Sequence, residues 1–187
     1  MSGFSADWLA LREPADQAAR SDTVLEACRR HFAGRPAITV CDLGSGTGAA
    51  VPAFGPYLPP HQRWVLVDND PANLAAAKRR RAGEGIAIET RTADLAREPA
   101  PWPAGCDLVT ATALFDLAGE AWIAALCARL AADRLPLLAT LTYDGGQSFV
   151  PEHASDAQML AAFNRHQRLD KGLGGPAAGP DGARLLA

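Results

Sequence analysis

Apolar residues in this chain gather into short, nearly continuous runs at 37–43, 63–67, 107–112 and 135–143, with an alternating apolar and polar run at 86–91. Continuous runs suit strands buried on both faces of a parallel sheet, and the alternating one suits an edge. Helix-period segments separate them, at 47–54, 71–82, 119–132 and 155–168. Ahead of the first run lie a short helical piece around Trp8 and Leu11 and a longer one over 16–32. Pro14 is expected to divide them and Gly34 to stop the second, which carries a stripe of Ala18, Ser21, Leu25, Cys28 and Phe32. Strands alternating with helices predict an α/β fold built on a doubly wound, mostly parallel sheet. The expected organisation is a helical cap over 1–36, a core over 37–143, and a helix followed by a mobile Gly/Pro-rich tail over 144–187.

At 187 residues, one domain is the expectation. A charged fraction of 21% with 48% hydrophobic residues is ordinary globular composition, and a net charge of -3 argues against a dedicated nucleic-acid binder. The basic run of Lys78, Arg79, Arg80 and Arg81 reads as a solvated helix end that complements the helix dipole. Cys28, Cys41, Cys106 and Cys127 are scattered, so free thiols are expected rather than a disulfide framework or a metal site. Acids interrupt the N-terminal segment, and charges with Pro136 break the apolar region 108–141. Neither a secretory signal nor a bilayer span is expected, which points to a cytoplasmic protein.

The candidate chemistry centres on Val40-Cys41-Asp42-Leu43-Gly44-Ser45-Gly46-Thr47-Gly48, a strand running into three alternating glycines and a helix start. Two readings compete. Gly44-x-Gly46-x-x-Ala49 fits a relaxed nicotinamide-dinucleotide fingerprint. Asp42, at the carboxyl end of its strand, would instead repel a pyrophosphate and attract a cation. The stretch Asp42-Leu-Gly-Ser-Gly-Thr-Gly closely resembles motif I of the class I S-adenosylmethionine-dependent methyltransferases. That cofactor carries both a sulfonium and an ammonium.

The resemblance implies a Rossmann-like methyltransferase fold with sheet order 3-2-1-4-5. It implies S-adenosyl-L-methionine as cofactor, held by Asp42, Gly44, Ser45, Gly46, Gly48, Asp68, Asn69, Asp94, Leu95 and Thr110. Asp68 ends the second strand 24 residues beyond Gly44, where an acid accepts from ribose hydroxyls, and Asn69 would flank the adenine. Asp70 has a sufficient role as N-cap ahead of Pro71. Asp94, followed by apolar Leu95, resembles the acid that accepts from the adenine amino group, with an Asx turn as the competing reading. The element at 113–116 lacks the Asn/Asp-Pro-Pro-aromatic signature of amino-methylating DNA enzymes, which disfavours base methylation. Asp116 either faces the substrate or caps the next helix, and Trp8 and Arg12 are candidates for a lid.

The leading expectation is therefore methyl transfer to a small molecule. His153, Tyr143, His166 and Asp116 are candidate general bases by chemistry alone. An NAD(P)-dependent oxidoreductase and a non-catalytic cofactor-binding subunit are the alternatives. The family's sheet has seven strands, but 144–187 holds no convincing strand pair. Strand five, with Leu135, Leu137, Leu138, Leu141 and Tyr143, is then expected at an edge. A second copy or another protein would cover it, or the chain is a C-terminally truncated relative.

Overall fold

Five strands, β1 (Ala37–Leu43), β2 (His61–Asp68), β3 (Ile86–Thr92), β4 (Leu108–Thr112) and β5 (Leu137–Thr140), pair in parallel in the expected order β3-β2-β1-β4-β5. The computed structural model describes residues 5–81 and 83–186. Central β1 shows why the runs are continuous: Ile38 and Val40 point into one core and Cys41 and Leu43 into the other. The first core is roofed by helices α2 (Asp22–His31), α3 (Ala50–Phe54) and α4 (Pro71–Arg81), through residues such as Leu25, Phe54 and Leu74. Helix α5 (Glu120–Asp133) covers the other face with Trp122, Ile123, Leu126 and Leu130. Asp42 falls on the α2/α3 side, in register with Thr110 of β4.

Helix α1 (Ala6–Ala18) departs from expectation, because Pro14 lies inside it rather than ending it. The break comes at Ala19–Arg20–Ser21, where Ser21 adopts extended backbone and starts α2. A solvent-facing proline forfeits one intrahelical bond, and packing of α1 against α4 offsets that cost. Of the anticipated stripe only Leu25, Cys28 and Phe32 are buried. Helix α3 begins at Ala50 rather than at residue 47, since Thr47 to Ala49 stay in the glycine turn. The end of α4 at Ala82 lies outside the described residues. The basic run is more than a solvated helix end. Arg81 is largely buried, donates to Glu13 of α1 at 2.7 Å and to the Thr47 carbonyl at 3.2 Å, and so clasps α1 and the glycine turn to α4.

Strand β5 is an edge, bonded only to β4 among the described residues, yet shorter than anticipated. Leu135 bonds back to the end of α5, and Leu141 leaves the sheet with φ at +58°. A four-residue edge offers few unpaired groups, one way soluble folds blunt this hazard. Cys28, Cys41, Cys106 and Cys127 are free thiols.

The tail is docked, not loose. Beyond α6 (Asp156–Gln167) it forms short 3-10 turns at Gly179–Asp181 and Arg184–Leu186 and buries Ala177 and Ala178. Gly119 donates to the Leu173 carbonyl at 2.8 Å, and Ala178 to that of Ala118 at 2.7 Å. Composition misleads here because the glycines permit close approach: a Cβ on Gly182 would sit 2.4 Å from the Phe115 carbonyl oxygen. Gly182→Ala should therefore loosen the tail at an overpacking cost of about 1–3 kcal/mol. Limited proteolysis would show cleavage within 171–186 accelerating about tenfold or more, and an unchanged rate would contradict the docking.

Candidate active site

The loop after β1 turns through Gly44, Gly46 and Gly48, with φ of +64°, +51° and +73°. Neighbouring side chains crowd it as well. A Cβ on Gly46 would lie 3.1 Å from Leu9 Cδ1, and one on Gly48 would lie 3.1 Å from Arg81 Cγ. Asp68 tethers the loop to β2, accepting from Gly46 N–H at 2.7 Å through Oδ2 and from Asp70 N–H at 2.9 Å through Oδ1. Asp70 caps α4 by accepting from Ala72 N–H at 2.8 Å.

Above the carboxyl ends of the strands lies a cavity of about 1320 Å3. It brings together Asp42, Gly44, Ser45, Gly46, Asp68, Asn69, Asp94 and Leu95 of the anticipated cofactor residues. Gly48 and Thr110 are set behind this lining: Gly48 packs toward α4, and Thr110 donates to Asp42 Oδ1 at 2.6 Å. Asp94 forms the Asx turn, accepting from Ala96 N–H at 3.0 Å, and still lines the cavity, so the two readings coexist. Trp122 fixes that segment by donating to the Leu95 carbonyl at 2.6 Å.

The base candidates separate cleanly. His153 and His166 are exposed and lie outside the cavity lining, His153 serving the turn that begins α6 through Ser155 N–H. Spacing along the chain carried no information about which way they face. Tyr143 and Asp116 do line the cavity. The Tyr143 hydroxyl donates to Asn164 Oδ1 at 2.7 Å, with its ring edge-on to Phe163. Asp116 does not cap α5, whose N-cap is Gly119. Asp116 is 9% exposed, and burial pushes its pKa up while backbone N–H groups pull it back. Ala113 and Leu141, at the ends of β4 and β5, line the cavity in left-handed conformation, local strain of about 1 kcal/mol or more each. Trp8 and Arg12 of α1 also face it, with Arg12 stacked over Trp8 and paired to Asp16.

One functional candidate had no signal in the sequence. Arg20 is 7% exposed and lines the same cavity. Among the described residues the buried side-chain polar atoms without a hydrogen-bond partner are its three guanidinium nitrogens, Ser45 Oγ and Asp116 Oδ1. All three side chains face this one cavity. Buried polar groups are almost always paired, so such a concentration marks a surface shaped for a ligand.

The methyltransferase-domain family profile matches residues 40–135, just over half of the chain, from mid-β1 to the end of α5. The chain belongs to this family. Solved structures agree on the fold. A SAM-dependent methyltransferase from Aquifex aeolicus aligns at 12% identity and TM-score 0.54, covering 86% of this chain and 88% of its own. The mitomycin 7-O-methyltransferase MmcR aligns at 19% and 0.51 over 99% of this chain and 54% of its own. Human N-acetylserotonin methyltransferase, solved in complex with SAM, aligns at 16% and 0.50 over 95% and 45%. Other matched structures are longer still, and the chain spans 34% of the length of one of WbdD. No curated protein matches the chain significantly in sequence. Among the described residues no helix is long and apolar enough to cross a membrane.

In this methyltransferase domain, burial pushes the Asp42 carboxyl up to about 7, with Asp68 adding to the rise and Thr110 and Arg20 opposing it. A carboxyl whose folded pKa exceeds its unfolded value holds its proton more tightly when folded. Its contribution to stability is full below pH 4 and is lost as pH rises toward 7. Asp42→Asn, which keeps an acceptor for Thr110, should escape that loss. Urea unfolding of the ligand-free pair from pH 4.5 to 7.5 should show the variant gaining on wild type by about 1 kcal/mol per pH unit. A constant difference would refute the buried, proton-holding carboxyl.

Proposed function

We propose that this domain transfers the methyl group of S-adenosylmethionine to a small molecule bound at the Asp116–Tyr143 end of the cavity. The observation that carries the reading is the convergence of every unpaired buried polar side chain named above on one cavity at the glycine loop. The residues fit the cofactor. Asp42 offers an acceptor to an ammonium, whose positive charge would favour the ionised carboxylate, and Asp68 keeps lone pairs for ribose hydroxyls beside the two N–H groups it already accepts from. Asp94 and Leu95, which line the same cavity, are the residues assigned to the adenine. A dinucleotide fits poorly, since its pyrophosphate would meet Asp42, Asp68 and Asp70 in the same lining.

A ligand pocket is usually 300–1,000 Å3, so about 1320 Å3 leaves room for a second molecule beside a nucleoside cofactor. Tyr143, Phe163, Leu173 and Leu186 supply an apolar wall there, and Asp116 the polar atom. The same fold carries small acceptors in the mitomycin and N-acetylserotonin methyltransferases. When bound, the cofactor supplies an electrophilic methyl on its sulfonium. This chain's own work is positioning: the loop and acids fix the nucleoside, α1 with Trp8 and Leu9 excludes water, and Asp116 accepts a proton or hydrogen bond from the acceptor. Free thiols suit a reducing, cytoplasmic setting.

Isothermal titration should show S-adenosylhomocysteine binding and no binding of NAD, and transfer of a labelled methyl would remove the non-catalytic reading. Asp68→Ala should weaken S-adenosylhomocysteine binding by roughly ten- to a hundredfold through loss of charge-assisted hydrogen bonds. Affinity within twofold of wild type in a folded variant would sink the ribose role. The β5 edge is covered by a second copy or a partner protein. Hydrogen exchange should then find the free N–H groups of Leu137 to Thr140 protected in a concentration- or partner-dependent way, and fast exchange under all conditions would exclude such a cover.

A further inference from the structure

Asp116 is held from two sides. Its backbone carbonyl accepts from Gly179 N–H of the tail at 3.1 Å, and its carboxyl accepts from backbone N–H groups, its own and that of Tyr143. Oδ1 is left buried and without a partner, in a side chain that lines the cavity. Folded proteins nearly always supply a donor to such an atom, so a donor brought in by a ligand would find this acceptor unclaimed.

Tyr143 lines the cavity with its own proton already assigned. The Asn164 amide donates through Nδ2 to the Gly145 carbonyl at 3.1 Å, which fixes its Oδ1 as the acceptor of the Tyr143 hydroxyl at 2.7 Å. Toward a ligand that hydroxyl can only accept. The nearby cations are engaged as well. Arg12, which acts on Asp116 electrostatically, pairs with Asp16, and Lys171 Nζ donates to the His166 carbonyl at 3.0 Å. What Asp116 and Tyr143 leave open is therefore capacity for donors, set beside the apolar surface of Phe163, Leu173 and Leu186. A carboxylate would meet like charge there, and a hydroxyl would bring a single donor. An ammonium brings up to three donors and the charge that balances a carboxylate.

We propose that the methyl acceptor is a primary amine on an apolar body, taken up as its ammonium by Asp116 Oδ1 and the Tyr143 hydroxyl. This rests on the S-adenosylmethionine reading above and names the class of molecule that the second half of the cavity takes. An ammonium has no lone pair, so it first gives a proton to Asp116 Oδ1, a group whose burial raises its affinity for protons. The freed pair on nitrogen forms the new N–C bond while the methyl's bond to sulfur breaks, and the electrons of that bond stay on sulfur. The amine leaves as its N-methylated cation, and Asp116 returns its proton to solvent.

The test uses the full chain loaded with S-adenosylhomocysteine and titrates three probes of similar shape: phenethylamine, phenethyl alcohol and phenylacetate. Wild type should hold the amine roughly ten- to a hundredfold more tightly than the alcohol, with phenylacetate weakest. In Asp116→Asn, which keeps the shape of the side chain, the amine should fall to within about threefold of the alcohol, while S-adenosylhomocysteine binds within about threefold of wild type. Tyr143→Phe, which keeps the ring against Phe163, should weaken the amine by about three- to tenfold and likewise spare S-adenosylhomocysteine. With S-adenosylmethionine supplied, wild type should form N-methylphenethylamine, and Asp116→Asn should lower kcat by about a hundredfold or more.

Equal affinity for the three probes, no binding of any, or a preference for the alcohol or the carboxylate would overturn the proposal. An Asp116→Asn protein that keeps the amine preference would overturn it too. Variants that lose S-adenosylhomocysteine in step with the amine would make these side chains structural and also overturn it. Wild type that does not bind S-adenosylhomocysteine would defeat the cofactor reading itself, whereas S-adenosylhomocysteine binding without an amine preference would defeat this inference alone.

Discussion

The carboxylate of Asp68 is the interaction on which the site depends, because it joins the loop after β1 to the turn after β2. One oxygen accepts from Gly46 N–H and the other from Asp70 N–H, so a single side chain sets the height of the glycine turn and the start of α4. The loop needs such a tether. Three residues with positive φ are strongly bent backbone with no sheet bonding of their own, and within the loop the bond from Gly48 N–H to the Ser45 carbonyl at 2.8 Å leaves Gly46 to be held from outside. Ser45 N–H adds a second strut to the Val67 carbonyl at 3.0 Å. Arg81 then closes the arrangement from below by donating to Thr47 and to Glu13 of α1. The cavity floor is rigid because it is bonded to β2, α4 and α1 together.

The same construction accounts for the distribution of charge. Acids gather at the carboxyl ends of β1, β2 and β3, and most have a protein partner that holds them ready: Thr110 for Asp42, backbone N–H groups for Asp68, the Asx turn for Asp94. The exceptions are informative. Arg20, Ser45 and Asp116 are buried with donors or acceptors unmet, which costs stability at the cavity. Left-handed Ala113 and Leu141 at the ends of β4 and β5 add backbone strain in the same cavity.

The end of the cavity proposed for the acceptor is assembled from elements far apart in sequence. Asp116 follows β4, Tyr143 follows β5, Phe163 comes from α6, and Leu173 and Leu186 from the tail. The tail reaches this place through its own backbone bonds to Ala118 and Gly119 and through glycines that admit close contact. A segment whose composition reads as disorder thus becomes part of the wall, since glycine lowers the steric barrier to docking as readily as it raises the entropy of the free chain.

Sequence alone determined the strands, the glycine turn and the acids at the strand ends, for a physical reason, while the sheet order was what the family resemblance implied. A strand buried on both faces must be apolar at nearly every position, and a turn with positive φ selects glycine, so both leave marks on consecutive residues. Asp42, Asp68 and Asp94 were legible because they occupy fixed offsets from those marks. Pro14 within α1, the four-residue β5, the docked tail and the outward-facing His153 and His166 were not legible, because each depends on contacts between distant segments. Arg20 is the clearest case. On paper it is one arginine among many in a polar helix link, and only the packing of α1, α3 and the glycine loop around it makes it a buried cation with its donors facing the ligand cavity.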